Sequence, residues 1–444
     1  MSALEIGGLG IGALFLLMLL QVPIGFAMII VGVLGFAMQA GWGPAITLLV
    51  NEPTGVLSSA DLATVPLFLL MGTFASVAGF STDIYNAAAA CFGHRRGGLA
   101  YATMGGSAAF GVVCGSSTAT AAMFARVALP EMLRRGYSPA FSTGTIAAGG
   151  TLKSLIPPSI VMILYCIVSK AFILDLFRAA ILPAIVAISV NLIAIALMAQ
   201  LDPKSAPVGE RMPWSERWSA IRAAAPVILL MVAVFGGLYS GIFTVTEAAS
   251  VAAVLSLLFA LARRRLNWAT LFQGLRESAA ATGMIYVMIM GALIFTYFLN
   301  LARVPEGFVG WISHLDMPPL AIIAALLVAY LILGAVFDEI SAMLITLPLV
   351  LPVVQKLAQT MMPDVSPDMI AVWWGIINVV IIELGMIIPP IGIIVFILHG
   401  LAPQIAIRTI YRGVAPFIVA DLVLLALLTL FPMLSLWLPS AWPG

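Results

Sequence analysis

The chain has 444 residues, 62% of them hydrophobic and only 9% charged, with a formal net charge of +1. Apolar runs long enough to cross a bilayer recur from end to end, so the sequence is that of an all-α polytopic membrane protein. The balanced charge excludes a basic nucleic-acid face, and neither Cys91, Cys114 and Cys166 nor His94, His314 and His399 have disulfide-framework or metal-ligand spacing.

Residues 1–64 read as N-terminal scaffold helices. The apolar stretch 4–40 pauses at Gln21, Val22 and Pro23, which fits one kinked helix or two short ones, and its start lacks the basic flank of a cleaved leader. Asn51, Glu52 and Asp61 predict a loop. A first repeat, 65–170, opens with a span over 65–90 that ends at His94, Arg95 and Arg96. It continues with a hairpin, 98–133, whose arms meet at a polar tip of Gly115, Ser116, Ser117 and Thr118. Arg95 and Arg96 on one foot and Arg134 and Arg135 on the other place both feet inside the cell. Arms of about 16 residues are roughly 24 Å long, short of a hydrocarbon core of about 30 Å, which predicts a re-entrant hairpin; two short spans are the alternative. A broken helix, 140–168, closes the repeat.

Residues 171–277 read as connecting helices, with spans over 179–200, 224–241 and 245–262. Between the first two lies a cytoplasmic linker, 202–222, in which Trp214 and Trp218 suggest an interfacial helix. The third ends at Arg263, Arg264 and Arg265, again inside. A second repeat, 278–400, contains a span over 278–300, a hairpin over 319–355 and a broken helix over 370–400. The hairpin tip is Asp338, Glu339, Ile340 and Ser341. Its feet, with Arg303, Glu306, His314 and Asp316 on one side and Lys356, Asp364 and Asp368 on the other, show no cation excess, so this hairpin enters from outside. A C-terminal helix, 401–444, ends the chain with a span over 414–437.

The two repeats share an order: polar tip, apolar arm, proline, then a double-proline break. ATAAMFARVALP at 119–130 aligns with SAMLITLPLVLP at 341–352, and the double prolines follow 27 and 37 residues after the matched prolines. These breaks are GGTLKSLIPPS at 149–159 and ELGMIIPPIG at 383–392. Proline lacks an N–H and pushes the preceding residue out of the α region, so each helix opens there. Opened backbone at membrane depth is tolerated only where it is buried in protein or lines a water-filled cavity. Two such openings in inverted repeats therefore predict a substrate and ion site between them, moved by alternating access.

At the first tip, Ser116, Ser117 and Thr118, with carbonyls freed around Ile156 and Pro157, form an oxygen shell suited to sodium, although capping of the second arm would also use a hydroxyl. At the second tip, Asp338 and Ser341, with carbonyls near Ile388 and Pro389, form a second candidate sodium site. Glu339 either joins it or faces water. Thr120, Lys153, Ser159 and Glu339 are the candidate substrate contacts. Lys153, four residues before Pro157, has three readings: contact with an anionic substrate, electrostatic replacement of a cation, or snorkelling to an interface. Glu383 and Asn378 are weaker candidates, for which helix packing serves equally well; Arg126, Glu247 and Asp421 read as structural.

The segments GVVCGSSTATAA, GGTLKSLIPPS, GAVFDEISAMLITLPLVLP and ELGMIIPPIG, in this order, resemble the large membrane (M) subunit of tripartite ATP-independent periplasmic (TRAP) transporters. The resemblance spans nearly the whole chain. It implies an inverted-repeat, elevator-type, sodium-coupled importer of organic acids such as C4-dicarboxylates, sialic acid or sugar acids in the bacterial inner membrane. It also implies two partners, a small four-helix membrane subunit and a periplasmic substrate-binding protein, and no cofactor beyond Na+ as coupling ion. The tip and Ile156-Pro157 of the first repeat, and the tip and Ile388-Pro389 of the second, correspond to the family's ion-binding regions. In the first double-proline motif the resemblance implies glycine where this chain has Lys153. A stand-alone sodium/divalent-anion symporter, needing no binding protein, is the second reading. A membrane-embedded hydrolase is a third, with the serine tip as its only nucleophile and no histidine nearby in sequence.

Overall fold

The computed structural model describes residues 2–314 and 317–441. Asp316, expected at a foot of the second hairpin, lies outside the described residues. Those described form α-helices throughout and no strand. Eight helices are long and apolar enough to cross a membrane, or ten if each of two bent pairs counts as one span.

The N-terminal apolar run divides into two helices, α1 (Ala3–Leu19) and α2 (Ile24–Ala40), separated where Gln21 takes a left-handed φ of 63° and Pro23 starts the next helix. α3 (Trp42–Ser58) runs through the expected loop. Asn51 and Glu52 sit on a largely exposed helix that buries only Ala45 and Val56, and isolated polar residues on such a face do not break it. The expected single span over 65–90 is instead α4 (Thr64–Ala78) and α5 (Phe80–Phe92), bent by 63°. Gly79 causes the bend: its φ is +81°, and a Cβ there would lie 1.8 Å from the Arg265 guanidinium. Arg263 and Arg265 donate to the Ala78 carbonyl at 2.9 and 3.3 Å, and Arg263 also pairs with Asp83. Cations thus satisfy a helix C-terminus at the bend.

α6 (Gly98–Cys114) and α7 (Ser117–Arg134) are the arms of the first hairpin. α8 (Pro139–Thr151), a 3₁₀ turn (Leu152–Leu155) and α9 (Ile160–Ser169) form the first broken helix, bent by 43°. α10 (Ile173–Leu201) follows. α11 (Trp214–Tyr239) merges the expected interfacial helix with the next span, and Arg217 and Arg222 lie over the Trp214 and Trp218 rings at 5.4 and 5.6 Å. α12 (Val245–Ala262) and α13 (Trp268–Leu301) continue the scaffold, and α14 (Val304–Ser313) is a short helix the sequence did not announce. α15 (Pro319–Val336) and α16 (Glu339–Met361) are the second hairpin, α17 (Pro367–Gly385) and α18 (Ile393–Leu401) the second broken helix. α19 (Ile407–Leu430) and α20 (Met433–Ala441) complete the chain. Both Pro157-Pro158 and Pro389-Pro390 bonds are cis.

The packing crosses the repeats. α7 of the first hairpin lies against α18 of the second break, and α16 of the second hairpin against α9 of the first. Around this unit α2 packs on α13, α4 on α12 and α13, and α5 on α11. Each tip is therefore held by the opposite repeat's broken helix.

Candidate functional site

The two tips and two breaks meet in one buried polar cluster. Ser117 is the first residue of α7, with Ser116 capping that helix through the Ala119 N–H at 3.3 Å, so the Ser117 side chain is turned inward and fully buried. Its hydroxyl oxygen lies 3.0 Å from Glu339 Oε2, and 2.8 and 2.9 Å from Glu383 Oε1 and Oε2. Ser154, in the 3₁₀ turn of the first break, lies 3.3 Å from the Ser117 hydroxyl and 3.4 Å from Glu339 Oε2. Lys153, 1% exposed, donates to the Gly115 carbonyl at the first tip at 3.1 Å and pairs with Glu339 Oε1 at 3.5 Å. Room for its stem comes from Gly111, where a Cβ would lie 2.2 Å from Lys153 Cβ. All four openings thus contribute to a single network: Ser117, Lys153 with Ser154, Glu339, and Glu383.

At the second tip the structure buries Glu339 and exposes Asp338. Asp338 caps α16, its Oδ2 accepting the Ile340 and Ser341 N–H groups at 3.2 and 3.1 Å, while the Ser341 hydroxyl donates to its other oxygen. Asp338 and Ser341 are thus together, with their oxygens turned to one another. Ser116 and Thr118 hydroxyls lie 3.1 Å apart at the first tip. Thr120 is buried and donates its hydroxyl to the Ser116 carbonyl at 2.8 Å. Ser159 is buried behind the first break, and its hydroxyl has no hydrogen-bond partner among the described residues.

The two breaks differ in exposure. Pro157 and Pro158 are buried and Ile156 half-buried, whereas Pro389, Pro390 and Ile391 are exposed and Ile388 half-buried. Tyr411 of α19 answers the second opening, its hydroxyl lying 3.0 and 2.6 Å from the Pro390 and Ile391 carbonyls. Tyr411 and Ser154 are not among the candidates the sequence offers, and Glu383, a weaker candidate there, is central here. Ser154 stood inside the quoted motif, two residues before Ile156, and its position next to Lys153 was the available signal. Of the residues read as structural, Asp421 is buried on α19 and accepts from Asn191 at 2.9 Å. It shares with Glu383 and Thr151 the lining of a cavity of about 20 Å³, room for about one water.

A larger cavity of about 360 Å³ reaches the first tip from the scaffold side. Thr73 and Ser76 of α4, Gln273, Glu277 and Ser278 of α13, and Ser116 line it. It extends toward the start of α13, which follows the Arg263, Arg264 and Arg265 run.

Comparison with known proteins agrees with this architecture. Residues 11–434 match the family model described as tripartite ATP-independent periplasmic transporter, DctM component. The chain is 33% identical over 415 residues to the C4-dicarboxylate TRAP transporter large permease protein DctM of Pseudomonas aeruginosa, covering 91% of this chain and 94% of that one. It is 27% identical to the ectoine TRAP transporter large permease protein TeaC of Halomonas elongata, covering 95% of this chain and 96% of that one. With the sialic acid TRAP transporter permease protein SiaT of Haemophilus influenzae it shares 26% identity, over 96% of this chain and 67% of that one. Among solved structures, the YdaH transporter of Alcanivorax borkumensis has a similar fold, with a TM-score of 0.60 at 16% identity over 92% of this chain and 91% of that one. The DctM, TeaC and SiaT relatives are named as permease proteins of TRAP transporters, not as enzymes.

Proposed function

The chain belongs to the DctM component family of tripartite ATP-independent periplasmic transporters, and from that premise we propose that it is the large subunit of a sodium-coupled, binding-protein-dependent importer of a small organic acid. It lies in the inner membrane as a multi-pass protein. Its partners are the small four-helix membrane subunit and a periplasmic substrate-binding protein that delivers the acid. Relatives are named for C4-dicarboxylates, sialic acid and ectoine, all of which carry carboxylate groups.

The observation that carries this reading is the convergence of both hairpin tips and both breaks on Ser117, Lys153, Glu339 and Glu383. Two inverted units that share one buried site move as a body or not at all, which is what an elevator step against a fixed scaffold requires. The cavity between Ser116 and α4 and α13 supports an inward-open vestibule of a size suited to a small acid. Sodium is the proposed coupling ion at the second tip and break, through Asp338, Ser341 and the carbonyls of Ile388 and Pro389. The first tip and break, with Ser116, Ser117, Thr118, Ile156 and Pro157, is the second cation position of the same mechanism. In it Thr120, Lys153, Ser159 and Glu339 bound the space beside the substrate.

The test is uptake into proteoliposomes holding this chain and its small membrane subunit, with a C4-dicarboxylate, a sialic acid and ectoine as radiolabelled probes. Uptake of one probe that requires both a sodium gradient and the added binding protein is the expected result. Uptake indifferent to the binding protein would replace this reading with a stand-alone symporter, and uptake indifferent to sodium would remove the ion assignment.

A further inference from the structure

We propose that the cavity between the 203–213 linker and the end of the first hairpin binds the headgroup of a membrane aminophospholipid, its phosphate on Arg211 and Arg135 and its primary ammonium on Glu210 and Glu216. The site is separate from the tips and breaks, and the proposal does not rest on the transport reading.

The linker builds the walls. Between α10 and α11 it is pinned at Ser205, whose carbonyl accepts the Ser138 N–H at 3.0 Å. It is pinned again at Gly209, where a Cβ would lie 2.4 Å from the Gly93 carbonyl oxygen and 3.5 Å from Arg135 Nη1. The chain therefore lies on the turn between α5 and α6 and on the end of α7. There it encloses a cavity of about 600 Å³ lined by Arg135, Glu210, Arg211 and Glu216, a size suited to a small polar ligand.

These charges are not used up within the chain. Glu210, Arg211 and Glu216 are exposed and form no ion pair among the described residues, although opposite signs line one cavity. Arg135 shares Glu131 with Arg134, so that trio keeps one positive charge over. Arg217, 6% exposed, donates through Nε to the carbonyl of Met212 in the cavity wall at 2.9 Å. Its Nη2 has no hydrogen-bond partner among the described residues. Burial and the Arg217, Arg211 and Arg95 charges hold His94 below its usual range, the mark of a positive potential at this corner. Such a surplus of guanidinium groups attracts a phosphate. Glu210 and Glu216 would repel a bare anion, whereas a headgroup that also carries a primary ammonium brings three donors for them.

The surroundings are those of a bilayer surface. Trp214 and Trp218 open α11 exposed, and aromatic side chains gather at headgroup depth in membrane proteins. Exposed Val208 lines the cavity, and exposed Leu229 and Val232 continue the Trp214 and Trp218 face of α11 as a seat for acyl chains. A soluble phosphate has no use for that apolar face, so the occupant is the lipid.

The test is native mass spectrometry of the full chain purified with its small membrane subunit, titrated with dioleoyl phosphatidylethanolamine, phosphatidylcholine and phosphatidylglycerol. Wild type should hold the ethanolamine lipid about tenfold more tightly than the other two, one charge-assisted hydrogen bond being worth about that factor. The choline nitrogen is trimethylated and cannot donate to Glu210 or Glu216, and the glycerol headgroup has no ammonium. Glu210→Gln with Glu216→Gln should erase the preference, and Arg211→Gln should weaken all three lipids. These side chains are exposed and unpaired, so the variants keep the fold, and Arg276→Gln, at an exposed arginine of α13, should bind as wild type does. Equal retention of the three lipids by the wild type would overturn the proposal. So would a preference that survives loss of both glutamates, or binding that Arg211→Gln leaves unchanged. Displacement of the lipid by inorganic phosphate would also overturn it, by making the cavity a site for a soluble anion.

Discussion

Ser117 and Glu383 are 266 residues apart in sequence, yet the serine hydroxyl lies 2.8 Å from the carboxylate, so a hairpin tip of one repeat is bonded to the break of the other. This contact and its neighbour to Glu339 hold the two inverted units closed on one another. We predict that Ser117→Ala combined with Ser154→Ala, which removes both hydroxyl donors, lowers uptake by about tenfold or more. It should also destabilise the protein by about 1–3 kcal/mol, the cost of leaving a buried polar group unpaired. Thermal unfolding in detergent and an uptake time course read the two effects separately.

Asp338 combines an exposed charge with a capping role at α16, and the two can be parted. Asparagine caps a helix about as well as aspartate. Asp338→Asn should therefore leave thermal stability within about 0.5 kcal/mol of wild type and shift the sodium dependence of uptake to higher concentration. Sodium stimulation identical to wild type would reduce Asp338 to a cap.

Lys153 is the counterion of Glu339, buried with it. Removing one partner of a buried ion pair costs about 3–5 kcal/mol because the other charge is left behind. Lys153→Met should show a loss of that order, and Lys153→Met with Glu339→Gln should recover most of it, since the double variant removes one charge of each sign and leaves the net charge of the cluster as it was. A double-mutant cycle by chemical denaturation or thermal shift measures the coupling, and additive losses would show that the two side chains do not act as a pair.

Gly111 has its place because the Lys153 stem passes where a Cβ would be. Gly111→Ala forces the 3₁₀ turn away from α6, and overpacking of this kind costs about 1–3 kcal/mol. Gly105→Ala, six residues earlier on the same helix with open space around it, is the control and should be close to neutral. Equal losses at the two positions would show that the cost does not come from contact with Lys153.

Much of the architecture was legible because it follows from local rules. Apolar length marked the spans, and proline chemistry marked both breaks. The polar tips were recognisable as short hydroxyl and carboxylate runs between apolar arms. Two local predictions met a different outcome for reasons that lie outside their segments. The bend at Gly79 needs Arg263 and Arg265, 184 and more residues away, to take up the freed Ala78 carbonyl. Asn51 and Glu52 stay helical because α3 packs on α2 and α13, with Asn51 left exposed and Glu52 half-buried beside Tyr297.

What the sequence by itself determined is therefore the membrane class, the two inverted hairpin-and-break units and the family to which they belong. Only the tertiary structure decided which charges are buried. Asp338 and Glu339 are neighbours in sequence, but the turn into α16 sends one to its cap and the other into the cluster. Glu383 sits mid-network and not at an idle helix contact because the first hairpin's tip reaches it. Composition and spacing describe what a segment does with its own backbone; the partner of a buried charge is set by where other segments end, and here those segments come from the opposite repeat.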